Sequence, residues 1–154
     1  MAKMTVKGLE KYISDLSQID NATDEEIGKA IFAGAAIVAD AARSGIQSIP
    51  VGKNPVRGEI TPEQKAGLLE GLGIASMQVS GSTLNVKIGM DGYNSKGQPN
   101  SMILRSVEAG TSWKNGKGRP ANPVVRKAVS KTRNQAVQAM VKTFDENIAK
   151  KMGG

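Results

Sequence analysis

Few side chains in this sequence could perform catalytic chemistry. The chain of 154 residues contains no histidine and no cysteine. These two residue types supply the commonest general base, the commonest zinc ligand and the thiolate nucleophile. A histidine-assisted nucleophile is therefore impossible within this chain, and so are disulfides and thiolate metal sites. Only carboxylate chemistry stays formally open.

The carboxylates form no evident acid/base pair. Asp24, Glu25 and Glu26 stand together, but they follow Thr23 at the predicted start of a helix. Acids favour that position because it is the positive end of the helix dipole, so a helix start explains them better than a metal site does. Glu108 has no carboxylate close to it in sequence, and no glycine loop ends in the Gly-Lys-Ser/Thr pattern. The sequence thus predicts no catalytic residue, no cofactor and no metal.

The most prominent polar feature is a basic cluster. Lysine and arginine outnumber aspartate and glutamate by 21 to 14, which gives a formal net charge of +7. The cluster consists of Lys114, Lys117, Arg119, Arg126, Lys127 and Lys131, with no acid between its ends. Arg126 and Lys127 fall in the first turns of a predicted helix, where the dipole disfavours cations. The cluster is either a solvated basic face or a surface used by a partner. Nucleic acid would be held there through phosphates, with strong salt dependence and no sequence preference.

Length and hydropathy favour one domain without a membrane segment. A chain of this size fits a single domain, and we expect residues 1–154 to form one. No apolar run approaches the ~20 residues of a membrane span. Positions 1–11 mix charge throughout, unlike a secretory signal, so synthesis in the cytoplasm is expected. Aromatic residues make up 3% of the chain, too few for the stacking surfaces that bind single strands.

An alanine-rich helix is predicted over about 24–44. Its apolar residues recur at spacings of three and four, and small side chains surround them. Such a stripe suits close packing, either within the core or between subunits. Thr23 and Glu26 have the spacing of a capping box at its start. A shorter amphipathic helix is predicted before it, over 8–16.

A long C-terminal helix is predicted over about 123–150. Asn122 has the residue type of an N-cap, and Pro123 suits the first helical position. At 1.5 Å per residue the helix would span roughly 40 Å, longer than a small domain needs. It would therefore wrap the core or extend to a neighbour.

The middle of the chain predicts a β-hairpin near 74–90. Its strands are 74–79 and 84–90, and the second alternates apolar and polar side chains. The turn at 80–82 carries Ser-Gly-Ser, which suits a tight connection. An isolated hairpin is marginal in water. We therefore expect an α+β fold in which a small antiparallel sheet is packed by the alanine-rich helix and the C-terminal helix.

Two short helices and three loops complete the prediction. Thr61 and Gln64 form a capping box for a helix that ends near Gly71. A second short helix, capped by Asn100 or Ser101, ends at Gly110. Long loops, flexible or ordered by a partner, are expected at about 45–60, 91–100 and 111–121.

Four stretches follow one another in a recognisable order: Lys7-Gly8-Leu9-Glu10, the helix ending in Ser48-Ile49-Pro50, Ala66-Gly67-Leu68-Leu69-Glu70-Gly71-Leu72, and Val107-Glu108-Ala109-Gly110-Thr111-Ser112. With these stretches in this order, the chain resembles the tail-completion, or neck, proteins that join head and tail in long-tailed bacteriophages and phage-like tail particles. The last stretch is similar to a family signature Glu-Phe-Gly-Thr, and a helix start follows it at Asn122-Pro123-Val124-Val125-Arg126-Lys127-Ala128. Ala66, Ala109 and Val124 stand where the family has threonine, phenylalanine and phenylalanine.

The resemblance implies a structural virion protein rather than an enzyme. Proteins of that family act as multimers in a ring-like neck, so this chain would form a homo-oligomeric ring that lets DNA pass. Its neighbours would be the portal/connector, tail terminator and tail tube, with possible non-specific contact to packaged DNA and none to membrane. The implied motif residues are Glu108, Gly110, Thr111, Pro123 and Arg126. The implied DNA-facing or subunit-contacting residues are Lys114, Lys117, Arg119 and Lys127.

Two other readings compete with the neck protein. A non-specific nucleic-acid-binding protein of the nucleoid type explains the charge but gives no role to the 45–60 and 91–100 loops. A small enzyme built from remote carboxylates has no residue pattern in its favour.

Overall fold

The residues that the structure describes fold into four helices and a bulged β-hairpin. The computed structural model describes residues 22–81, 83–112 and 115–152, so the predicted helix at 8–16 lies outside the described residues. The helices are α1 (Ala22–Gln47), α2 (Pro62–Gly71), α3 (Asn100–Ala109) and α4 (Val124–Met152). The strands are β1 (Leu72–Ile74), β2 (Gln78–Ser80), β3 (Thr83–Asn85) and β4 (Ile88–Met90), and a 3₁₀ turn covers Pro55–Arg57. The predicted α+β class is confirmed.

Helices α1 and α4 form the most extensive contact in the fold. They run antiparallel, since Gly45 meets Val124 near one end while Ala30 and Phe144 share a cluster near the other. Small residues allow the close approach. A Cβ atom on Gly34 would overlap the side chain that packs against it from α4. The alanine stripe of α1 is therefore used for packing within the chain. The buried residues of α4 recur at multiples of four, namely Val124, Ala128, Ala136, Met140 and Phe144.

Helix α1 differs from its prediction at both ends. It includes Ala22, so Thr23 lies inside the helix instead of at its N-cap. Glu26 is buried, and its carboxylate accepts a hydrogen bond from the Lys29 ammonium at 3.2 Å within α1. At the other end the helix continues through Gly45 to Gln47, three residues beyond the prediction, because Gly45 and the residue after it pack into the core.

Helix α2 is capped as predicted and in turn caps α1. The Thr61 hydroxyl accepts the Gln64 N–H at 3.2 Å, and the Gln64 side chain accepts the Thr61 N–H at 3.1 Å. The Lys65 ammonium donates to the carbonyl oxygens of Gln47 and Ile49, at 2.5 and 3.0 Å. A cation placed there complements the negative end of the α1 dipole. This contact ties α2 to the end of α1.

The hairpin is confirmed, but it divides into two ladders. β1 pairs with β4 and β2 pairs with β3, both antiparallel. Between the ladders, Ser76 and Met77 stand opposite Val86 alone, which makes a β-bulge. The bulge interrupts the predicted alternation of the second strand. Met77 lies against α1, where a Cβ atom on Gly28 would come within 3.0 Å of its sulfur and terminal methyl.

The main core lies where α2, α3 and the hairpin meet the neighbouring ends of α1 and α4. Its buried residues are Ala42, Ile46, Ile49, Ile60, Leu68, Leu72, Ile103, Val107, Val124 and Ala128. A second cluster of Ala30, Met140 and Phe144 lies towards the other end of the helix pair. Val107 and Val124 place both ends of the α3–α4 connection in the main core. In the part of the chain that the structure describes, no helix is apolar enough over a sufficient length to span a bilayer.

Candidate functional site

The predicted motif residues meet at the joint between α3 and α4. The Glu108 carboxylate accepts the N–H groups of Val125 and Arg126, at 2.6 and 3.4 Å. These are among the first amides of α4, which have no acceptor inside their own helix. The carboxylate also lies at the positive end of the α4 dipole. Glu108 therefore acts as a helix cap supplied by the neighbouring helix.

The start of α4 is shifted by one residue from its prediction. The helix begins at Val124, and the Pro123 carbonyl accepts the first bond of the helical pattern, so Pro123 occupies the N-cap position instead of the first helical one. The Asn122 backbone N–H donates to the Val107 carbonyl at 2.8 Å, which ties the segment to α3. The capping expected of the Asn122 side chain is performed by Glu108, whose carboxylate reaches the first-turn amides of α4 from α3.

Gly110 ends α3, as predicted. Its backbone has φ 72° and ψ 175°, a region that essentially only glycine occupies. A Cβ atom there would lie 2.8 Å from the Arg119 carbonyl oxygen and 2.9 Å from the Ala121 nitrogen. Both are backbone atoms, which cannot move aside as a flexible side chain can. Glycine is required for the turn and also for the close return of the loop.

Thr111 closes the base of the 111–121 loop. Its N–H donates to the Arg119 carbonyl at 2.9 Å, and its hydroxyl oxygen accepts the Arg119 N–H at 3.0 Å. Gly118 lies so close to the Thr111 carbonyl that a Cβ atom would overlap it. The loop is thus held at its base by backbone contacts whose positions are fixed by glycine and threonine. Whether the rest of the loop orders on a partner stays a prediction.

The basic residues of the predicted cluster divide into two groups. Lys117, Arg126, Lys127 and Lys131 are exposed and form no ion pair with another residue of the described ranges. Arg126 and Lys127 lie in the first turn of α4, as predicted. Lys114 lies outside the described residues. The exposed group forms a cationic surface beside the joint.

Arg119 belongs to the second group because its side chain is partly buried. Its Nη1 atom is buried and, within the described ranges, has no hydrogen-bond partner. Burial lowers the pKa of the Arg119 guanidinium. The side chain lines an open groove of about 290 Å³ between the loop and the 3₁₀ turn. Other lining residues are Val56, Thr111, Gly116 and Pro120.

The 91–100 loop is an ordered surface that the sequence pattern did not predict. Asn94 is buried, and its Oδ1 atom accepts the N–H groups of Lys96 and Gln98, both at 3.0 Å. Asn100 is also buried and donates through Nδ2 to the Asp91 carbonyl at 2.9 Å. Instead of capping α3 as predicted, Asn100 begins that helix, and its side chain holds the loop. The signal was present in the asparagines, whose side chains bond nearby backbone and order turns.

This loop packs directly on the backbone of α2. A Cβ atom on Gly67 would lie 2.7 Å from the Asn94 Cβ and 2.5 Å from the Asn100 Oδ1. On the outside, Tyr93 is 71% exposed and Met102, in the first turns of α3, is 58% exposed. Tyrosine and methionine are enriched in protein interfaces. An ordered loop with these two exposed side chains is a candidate contact surface.

Comparison with family models, with curated proteins and with solved structures finds no match for this chain. Within the described ranges, no group of three or more aspartates and glutamates converges as a metal site would require.

Proposed function

We propose that this chain is a non-catalytic structural protein of the bacteriophage neck, acting in the virion as a ring of identical subunits at the head–tail junction. The observation that carries the proposal is the convergence of Glu108, Gly110 and Thr111 at one joint. Each has a structural task there: one caps a helix, one makes the turn, one closes the loop. A joint of this kind suits a subunit that must hold a loop in a fixed direction towards a neighbour.

The 91–100 loop and the base of the 111–121 loop support contacts with other neck and tail proteins. The 111–121 loop is closed at its base by Thr111, and the 91–100 loop is held by buried Asn94. Surfaces that are ordered before binding lose less conformational entropy on association. We propose the portal/connector, the tail terminator and the tail tube as neighbours, after synthesis in the host cytoplasm.

The cationic surface supports non-specific contact with DNA in the channel. Lys117, Arg126 and Lys127 are exposed, and a net charge of +7 attracts a polyanion without sequence readout. The same observation favours the alternative, a nucleoid-type DNA-binding protein. The alternative gives no role to the rigid joint, so we place it second. Genes for portal, capsid or tail-tube proteins beside this one would support the first reading.

Imaging of intact particles with this chain located in the map tests the proposal. We expect a ring between portal and tail, with Lys117 and Lys127 towards the lumen. A chain absent from the particle, or located outside the neck, would overturn the proposal. A ring with both lysines turned outwards would overturn the DNA contact alone.

A further inference from the structure

The groove beside Arg119 has the chemistry of a small anion site with apolar walls. It lies between the 3₁₀ turn and the 111–121 loop, which approach each other where Gly58 faces Pro120. Val56 and Pro120 supply apolar wall, and Val56 is exposed. At about 290 Å³ the groove is at the small end of ligand pockets, which span about 300–1,000 Å³. It has room for a side chain and its flanks, but none for a folded element.

The guanidinium in this groove lacks a compensating charge. Arg119 is partly buried, and its buried Nη1 atom has no partner within the described ranges. No acid of those ranges lines the groove. The carboxylate of Glu59, on the neighbouring turn, accepts the Asn54 N–H at 3.0 Å and is engaged within its own turn. A partly desolvated cation with one covered, unpaired nitrogen is unfavourable, and a bound anion would relieve part of that cost.

We propose that this groove binds an aspartate or glutamate side chain on a peptide segment of a neighbouring protein subunit, with Arg119 as its ionic partner. The inference deepens the proposed function and rests on it for the identity of the neighbour as an assembly partner. Arginine binds carboxylates through paired, charge-assisted hydrogen bonds. Apolar walls suit the methylene groups of an acidic side chain and the flanking residues of its segment.

A carboxylate fits this groove better than a DNA phosphate does. The phosphates of a duplex meet cations that protrude into solvent, and Lys117, Arg126 and Lys127 do so at this joint. Arg119 is recessed between a turn and a loop and has one nitrogen covered. A rigid duplex cannot follow it into the groove. The joint therefore separates the two tasks, with exposed cations for a polyanion and Arg119 for a protein.

Titration of the isotope-labelled full chain by NMR tests the proposal. The probe is the blocked peptide acetyl-Ala-Val-Asp-Val-Ala-amide, and its asparagine counterpart is the matched control. We expect the aspartate peptide to shift the Arg119 Nε–H signal and the amides of Thr111 and Gly116. The asparagine peptide should bind roughly fivefold or more weakly, because it lacks the charge. Arg119→Gln should abolish the difference between the peptides, whereas Lys117→Gln should preserve it.

Three results would overturn the proposal. The peptides could perturb the groove equally, or neither could perturb it, or a short DNA duplex could shift the Arg119 signal at lower concentration than the aspartate peptide does. If Arg119→Gln fails to fold, the two peptides on the unaltered chain decide the question alone, and Arg119→Lys should retain some preference for aspartate. A negative result in this titration would not affect the neck assignment, since particle imaging tests that assignment separately. Aspartate-selective binding by a chain absent from particles would instead retain the groove and remove the assignment.

Discussion

Glu108 shows how one side chain can connect two helices across a loop. Its carboxylate accepts the Val125 and Arg126 amides at the start of α4. Glu108→Ala should lower the free energy of unfolding by about 1–2 kcal/mol, because both amides lose their acceptor and the dipole loses its counter-charge. The measurement is urea denaturation, with a lower midpoint and an unchanged slope. Glu108→Gln keeps a hydrogen-bond acceptor without the charge. Its free energy of unfolding should therefore lie between those of the unaltered chain and Glu108→Ala.

Glu146→Ala is the matched control for that substitution. Glu146 lies on the surface of α4, and its carboxylate is 3.9 Å from the Lys142 ammonium of that helix. Exposed pairs of this kind contribute little, so the change should stay within about 0.5 kcal/mol. Equal losses for Glu108→Ala and Glu146→Ala would show that Glu108 is not a cap.

Substitutions at Gly110 and Gly116 distinguish the cost of a positive φ angle from the cost of a steric clash with a nearby backbone. Their φ angles are 72° and 71°, but of these two only Gly110 has backbone atoms within 3 Å of a Cβ position, whereas no described residue comes within 4 Å of one on Gly116. Gly116→Ala should therefore cost about 1 kcal/mol of backbone strain. Gly110→Ala should cost more, about 2–4 kcal/mol, since the returning loop must also move. Thermal unfolding of both variants measures the difference, and equal shifts in Tm would mean that the loop is not packed against Gly110.

Sequence reasoning succeeded for residues whose chemistry is local. Gly110 as a stop and the Thr61–Gln64 box depend on neighbours along the chain, and both are confirmed. Glu108 could not be identified as a cap, because its amide partners lie beyond a loop whose path no local rule fixes. The same holds for Arg119, whose groove includes a turn from the 50–60 region. Asn94 is different: its turn chemistry is local, and it could have been found.

At the scale of elements, the α1–α4 contact provides a matched pair of glycine substitutions. A Cβ atom on Gly34 would overlap Met140 and lie 3.0 Å from the Ala136 carbonyl oxygen. Gly34→Ala should lower stability by about 1–3 kcal/mol, because overpacking outweighs the gain of about 0.5–1 kcal/mol in helix propensity. At Gly28 the near atoms are the sulfur and terminal methyl of Met77, which can shift. Gly28→Ala should therefore be neutral or stabilising.

Thermal unfolding distinguishes Gly34→Ala from Gly28→Ala by the sign of the change in Tm. A loss of 1 kcal/mol lowers Tm by roughly 2–4 °C in a chain of this size. Gly34→Ala should melt below the unaltered chain and Gly28→Ala at or above it. Two stabilised variants would mean that the helices are farther apart at Gly34 than the packing of Met140 implies.

The elements themselves were predictable where periodicity and turn chemistry agree. The two long helices and the hairpin follow from spacings of four and of two. Their details depend on tertiary contacts. Helix α1 runs to Gln47 because Gly45 packs against Val124 and the Lys65 ammonium caps the end. The hairpin breaks at Met77 because that side chain meets Gly28 of α1. In each case the contacting residue lies in a different element, so the sequence pattern of one element alone cannot predict the contact.

At the scale of the whole molecule, net charge separates the two proposed functions through opposite salt dependences. Each copy carries +7, so copies would repel one another during assembly of the proposed ring. Salt shortens the screening length from about 10 Å at 0.1 M to about 3 Å at 1 M, which weakens that repulsion. A ring should therefore become more populated as salt rises. DNA binding must weaken, because the release of counterions from the phosphates is less favourable in a salt-rich solution.

A salt series on the isolated chain measures both dependences. Sedimentation velocity at fixed protein concentration gives the oligomer, and fluorescence anisotropy with a DNA duplex gives the affinity. We expect larger species at high salt, and Lys117→Glu with Lys127→Glu should weaken DNA binding while favouring the oligomer, since it removes repulsion between copies. A chain that stays monomeric throughout, while its DNA affinity falls steeply with salt, would contradict self-assembly into a ring. The nucleic-acid-binding alternative would then account better for the cationic surface, and the joint at Glu108 would serve only to hold that surface in place.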